Sequence, residues 1–158
     1  MTNPRAVHST LATPPRRISA AGDVYAVLVS GDETGGKYAV MHATVPPGGG
    51  PPPHVHSREE EGFYVLKGEI SVTANGSTIK AGPGALVNLP VGSVHCFKNE
   101  TTETAEMLIT VAPSGFEKFI EEFGTLLSDP NSGPLPVTHA EMERILVAAP
   151  KYGIEIKV

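Results

Sequence analysis

The sequence has 158 residues, one domain's worth of chain, able to bury roughly two thirds of the surface its unfolded form exposes. A net charge of −5 with scattered Lys and Arg gives no concentrated basic face, so nucleic acid is not an expected partner. One cysteine excludes an internal disulfide and no apolar run reaches membrane-span length, so the expected setting is the reducing cytoplasm, with no membrane partner.

In chain order, residues 1–21 are polar and proline-punctuated and read as an N-terminal arm outside the core, free or clasping a partner. Stretches 24–30 and 37–45 are β-branched-rich and of strand length, joined by a GDETGG turn, and read as a hairpin. The run 62–74 leads to Asn75-Gly76, suited to a type I′ turn, and on to 77–82 as a second hairpin. Strands at 85–90, 94–97 and 104–113 follow. So many short strands with regular turns predict an all-β sandwich or barrel over 22–112.

After Pro113 the apolar period lengthens. Phe116, Phe119, Ile120, Phe123, Leu126 and Leu127 share one helical face behind a Ser114/Glu117 capping box. A Thr138/Glu141 box opens a shorter helix with Met142, Ile145, Leu146 and Ala149 on one face, ended by Pro150. Residues 113–158 are thus expected as a helical extension packed on the barrel or its mouth.

The chain's functional signal is its histidines. His54 and His56 are alternate residues, so on a strand both project to one side. Glu61 follows at a distance that lets the chain turn back, and His95 supplies a third nitrogen from a later strand. Three imidazoles and a carboxylate suit one divalent transition metal, Fe, Mn, Co, Ni, Cu or Zn, with open positions left for a ligand. Glu59 and Glu60 read as a solvated acidic turn, with Glu60 the rival ligand. Phe63 and Val65 share the parity of Glu61, and Phe97 that of His95, so these side chains, with Met41 and Phe116, are the expected pocket wall. His42 is placed on the face opposite Met41, His8 and His139 are expected to be exposed, and Cys96 to point away from the ligands.

The sequence resembles the cupin superfamily. Gly48, His54, His56, Glu61 and Gly68 meet its first motif, and Gly84, Pro90, Gly92, His95 and Asn99 its second, without a departure. The resemblance implies a double-stranded β-helix, or jelly-roll barrel, with two short C-terminal helices, holding a metal through His54, His56, Glu61 and His95. The run HVHSREEEGFYVLKGE looks like that of single-domain cupins of the quercetin-dioxygenase-like group. That likeness implies a dioxygenase using dioxygen on a flavonol-like aromatic or 1,3-dicarbonyl small molecule, with Glu61 as ligand and general base. An isomerase or lyase, or a non-catalytic small-ligand binder, are the alternatives on the same fold. A homodimer is expected, because β-rich edges need covering.

Overall fold

The computed structural model describes residues 5–14 and 16–157. Its strands are β1 (Arg16–Ala20), β2 (Asp23–Val29), β3 (Ala39–Val45), β4 (His54–His56), β5 (Glu60–Lys67), β6 (Ile70–Ala74), β7 (Ser77–Ala81), β8 (Leu86–Leu89), β9 (Val94–Lys98), β10 (Ala105–Ala112), β11 (Thr125–Leu126) and β12 (Ile154–Ile156). Its helices are α1 (Gly31–Thr34), α2 (Phe116–Phe123) and α3 (His139–Ala148). Two antiparallel sheets form, ordered β11-β1-β2-β3-β10-β5-β8 and β12-β4-β9-β6-β7. From β3 to β10 the chain crosses repeatedly between them, which is the jelly-roll pattern.

Strand alternation builds the core. Met41, Ala43 and Val45 on β3, Phe63 and Val65 on β5, and Met107, Ile109 and Val111 on β10 are buried in one cluster that also takes Ile70, Val72 and Phe97 from the smaller sheet. On the outer face of the larger sheet Tyr64, Leu66 and Leu86 are exposed. Asn75 and Gly76 have positive φ, as the turn chemistry requires, and join β6 to β7.

Several expectations are corrected. The arm ends before Arg16, not at residue 21: β1 pairs with β2, and Ile18 and Ala20 lie in the core. Residues 1–4 and Pro15 lie outside the described residues, while Ser9 further along donates to the Leu28 carbonyl at 2.6 Å. The GDETGG turn contains the single helical turn α1, where the Glu33 carboxylate accepts the Ser30 amide at 2.8 Å. The run 62–74 is not one strand: Gly68, at φ 73°, divides it between the two sheets.

The C-terminal segment is not purely helical. α2 is capped by Gly115, not by Ser114, because the buried Glu117 carboxylate accepts the amides of Gly115 at 2.8 Å and Gly31 at 2.9 Å. Leu126 is in β11 and exposed, paired with Ile18. At α3 the Thr138 hydroxyl does accept from the Glu141 amide, at 3.2 Å, but the Glu141 carboxylate reaches Ala21. Leu146 is exposed, and Ala149 to Tyr152 form a 3-10 turn. Beyond it, β12 joins the smaller sheet beside β4, pairing Ile154 with His56 and Ile156 with His54.

Candidate metal centre

The loop before β4 is set by a close approach. A Cβ on Gly50, at φ 130°, would collide with the Phe97 carbonyl, so only glycine lets the loop run against β9. Asn99, fully buried, fastens the same loop. Its amide donates to the Gly49 carbonyl at 3.0 Å, its carbonyl accepts from Gly48 at 2.8 Å, and its side chain reaches Val45 and Glu103. β4 then lies against β9 with His54 directly opposite His95, while β5 brings Glu61 from the larger sheet.

The four expected residues meet. His54, His56, Glu61 and His95 are all buried, and one ligand atom from each lies within 4.8 Å of the others. Nδ1 of every imidazole faces an acceptor outside the cluster: the Pro52 carbonyl at 2.8 Å for His54, Glu59 Oε1 at 2.7 Å for His56, and the Ser93 carbonyl at 3.1 Å for His95. A proton on each Nδ1 turns each Nε2 toward the cluster, where it can offer a lone pair to a metal once any second proton held there has left.

Glu61 Oε2 lies 2.9 Å from His95 Nε2 and 3.3 Å from His56 Nε2. The second contact is not aligned as a hydrogen bond, so His56 Nε2 is a buried nitrogen without a partner among the described residues. Such an orphan, next to a carboxylate oxygen and two more imidazoles, fits a divalent transition metal in both position and donor chemistry.

The charges of the cluster act strongly on one another. Burial pushes His54 down to about 4, so it is neutral and ready to donate a lone pair. Burial acts the same way on His56, but the Glu59 and Glu61 carboxylates outweigh it and raise His56 to about 9. For Glu61, burial is outweighed by hydrogen bonds and positive charge from the imidazoles, which lower it to about 2.

Glu59 is the residue sequence reasoning missed. It is 3% exposed and not solvated, because its carboxylate orients His56 from behind, whereas Glu60 is exposed as expected. Beside the cluster is an apolar chamber of about 30 Å³, bordered by His54, Glu61, Phe97 and Phe116 among others. That volume holds a water or two. Phe63, Val65 and Met41, expected in the wall, pack within the core instead, with Phe63 5.3 Å from Phe97 between ring centres. The Phe116 ring lies edge-on to His56 at 4.9 Å, so α2 covers the chamber. His42 is on the outer face, 3.9 Å from Glu106, His8 and His139 are exposed, and Cys96 is half-buried.

A jelly roll with inward histidines on adjoining strands and a facing glutamate is the architecture of a cupin. Residues 41–111 match the family model described as Cupin domain, so this segment of the chain is a cupin domain. It is 26% identical over 117 residues to quercetin 2,3-dioxygenase of Bacillus subtilis, covering 74% of this chain and 33% of that protein. With quercetin 2,3-dioxygenase of Aspergillus japonicus it shares 26% identity over 126 residues, 75% of this chain and 36% of that one. The chain therefore spans about a third of the length of these curated relatives. A predicted oxalate decarboxylase from Thermotoga maritima superposes with a TM-score of 0.60 at 25% identity, over 69% of this chain and 99% of the other. No helix among the described residues is long and apolar enough to cross a membrane.

Proposed function

We propose that this protein is a metal-dependent cupin that uses dioxygen on a small enolisable compound, a 1,3-dicarbonyl or a flavonol-like aromatic. The observation that carries the reading is the meeting of three imidazoles and Glu61 at the wall of an apolar chamber. One divalent transition metal per subunit, held by His54, His56, Glu61 and His95, would supply Lewis acidity toward an enolate oxygen and open positions for substrate and dioxygen. Phe97, Phe116 and Phe119 exclude water around those positions, which strengthens every charge interaction within. Glu61 contributes the negative charge. In contact with the imidazoles it is held at about 2 and is a poor base, so it accepts a proton only when turned away from them.

With room for a water or two, the chamber takes either compound only if α2 yields, and a compact dicarbonyl needs a smaller movement than a three-ring flavonol. An isomerase or lyase acting on a polyhydroxylated sugar has less support, because beyond His54 and Glu61 the wall offers one polar side chain among the described residues, Tyr25. A non-catalytic binder remains the second reading, since a small enclosed chamber serves retention as well as turnover. The same proposal includes a homodimer, supported by the apolar row that Leu108, Tyr64 and Leu86 form across the outer face.

Oxygen uptake separates the readings. Protein purified anaerobically, stripped of metal and reloaded with each ion in turn should consume dioxygen with acetylacetone or quercetin in at least one metal form and in none when metal-free. Uptake in no form, with tight calorimetric binding of either compound, would replace the oxygenase reading with the binder.

A further inference from the structure

Tyr25 on β2 is 2% exposed, and strand alternation turns it inward to the chamber wall beside His54 and Glu61. Pro51, Pro52, Phe97 and Phe116 line the same chamber, and none of them has a polar side-chain atom. Among the described lining residues, Tyr25 is thus the one side chain besides His54 and Glu61 that carries a polar atom for a ligand oxygen. The hydroxyl in turn donates to Asp23 Oδ2 at 3.4 Å, a long bond of the kind that shortens when a ligand completes the site.

Asp23 is the less expected member. It is fully buried, and its other oxygen, Oδ1, has no hydrogen-bond partner among the described residues. Oδ1 sits against Gly49, where a Cβ would strike it, in the loop that leads to β4. Burial raises the Asp23 carboxyl to about 7, against the lowering effect of Tyr25 and the Gly50 backbone, so it exchanges protons near neutrality. A buried, half-unsatisfied acid destabilises the fold, so its presence calls for a role other than stability.

We propose that Tyr25 binds the ionisable oxygen of the substrate, and that Asp23 positions Tyr25 and takes up the proton the substrate releases. The assignment rests on the enolisable-substrate reading above. The substrate O–H bond breaks and its proton passes to the Tyr25 oxygen, while the Tyr25 proton passes to Asp23 Oδ2. The enolate keeps the electron pair, Tyr25 ends as a neutral phenol, and no oxidant or reductant is involved. Tyr25 is then a catalytic residue and Asp23 a positioning one.

Zinc-loaded protein tests this without turnover, because zinc is colourless and has no redox chemistry. The probes are acetylacetone and acetohydroxamate, small chelators that ionise at oxygen. Binding is read by calorimetry, and ionisation of bound acetylacetone by the shift of its ultraviolet band to longer wavelength. Tyr25→Phe should bind about tenfold more weakly, the worth of one lost hydrogen bond to a charged oxygen, with less of the bound probe as enolate at pH 7. Asp23→Asn should move both readouts the same way, and the double variant should be no worse than Tyr25→Phe alone, since coupled residues do not add. Unchanged binding in Tyr25→Phe, or failure of that variant to hold zinc, overturns the role of Tyr25. Additive losses overturn the role of Asp23, because an acid that only braces the Gly49 loop acts independently of the phenol. If zinc-loaded wild type binds neither probe, the enolisable-substrate reading falls and this assignment with it, whereas binding by wild type and Tyr25→Phe alike leaves that reading standing and removes only the assignment.

Discussion

Asp23 makes a stability prediction whose sign and size follow from its burial. The carboxyl has its ordinary value of 3.8 in the unfolded chain and about 7 in the folded one. An acid with a raised folded value binds its proton more tightly in the native state, so its contribution is fully present below 3.8 and is lost as pH rises toward 7. The whole gap corresponds to about 4 kcal/mol at about 1.4 kcal/mol per tenfold change in proton affinity. Between pH 5 and pH 8 the folded chain traverses about two pH units of that gap, roughly 3 kcal/mol. Asp23→Asn keeps the shape and cannot ionise. Urea unfolding of both proteins at the two pH values should therefore show the variant gaining about 3 kcal/mol on wild type at pH 8 relative to pH 5, with the slopes in urea unchanged. The comparison cancels every other titrating group. A difference that stays flat within about 0.5 kcal/mol would mean that Asp23 ionises as it does in water and is not desolvated.

Other substitutions probe the remaining elements of the site. A metal present at a hundred times its dissociation constant adds about 2.7 kcal/mol, or roughly 5 to 10 °C in melting temperature for a domain of this size. Glu60→Gln should keep that rise, Glu61→Gln should lose most of it, and Glu59→Gln, which weakens the hold on His56 Nδ1, should fall between them; equal loss in all three would refute the assignment of roles. Phe116→Ala removes the ring covering His56 and should cost about 3 to 5 kcal/mol in chemical unfolding while speeding metal loss to a chelator, with unchanged loss arguing that α2 does not cover the site. Light scattering should return twice the 16.6 kDa chain mass, and Tyr64→Lys with Leu86→Lys should return the monomer if the outer face is the contact.

The histidine pair, Glu61 and His95 are legible in the sequence because period-two alternation is a local rule and the spacing leaves little freedom. The Glu59 contact is not. It comes before β5 begins, and its approach to His56 is made by the turn through Ser57 and Arg58, which strand parity does not describe. β12 was hidden for another reason: it is three residues long and its partner strand lies far back in the sequence, so only folding brings Ile154 to His56. β1 was obscured by Pro14-Pro15 and Arg16-Arg17, although Ile18 and Ala20 share the inward parity that buries them. Asp23 and Tyr25 carry no motif, and an alternating pair at a strand start is too common to single out until the fold shows what faces the chamber.

Charge balance at the centre yields a last prediction. Glu59 and Glu61 bring two buried negative charges to one group of imidazoles, and buried charge is tolerated when it is compensated. A divalent ion compensates both. Without it, the proton on His56 offsets one of them, and this is why His56 stands at about 9 although burial alone would lower it. Three ordinary imidazoles would lead one to expect affinity to level off above about pH 6.5. The geometry moves that limit upward, because the metal must displace a proton that His56 holds up to about pH 9. Metal uptake at pH 7.5 should then release about one proton, and affinity should rise about tenfold per pH unit toward 9. Titrations of zinc into the metal-free protein in buffers of different ionisation enthalpy measure the release directly. Glu59→Gln removes one of the carboxylates that raise His56 and should reduce the release, while Glu60→Gln should not. No proton released by wild type at pH 7.5 would show that His56 is already neutral, and that Glu59 and Glu61 do not act on it as their distances imply.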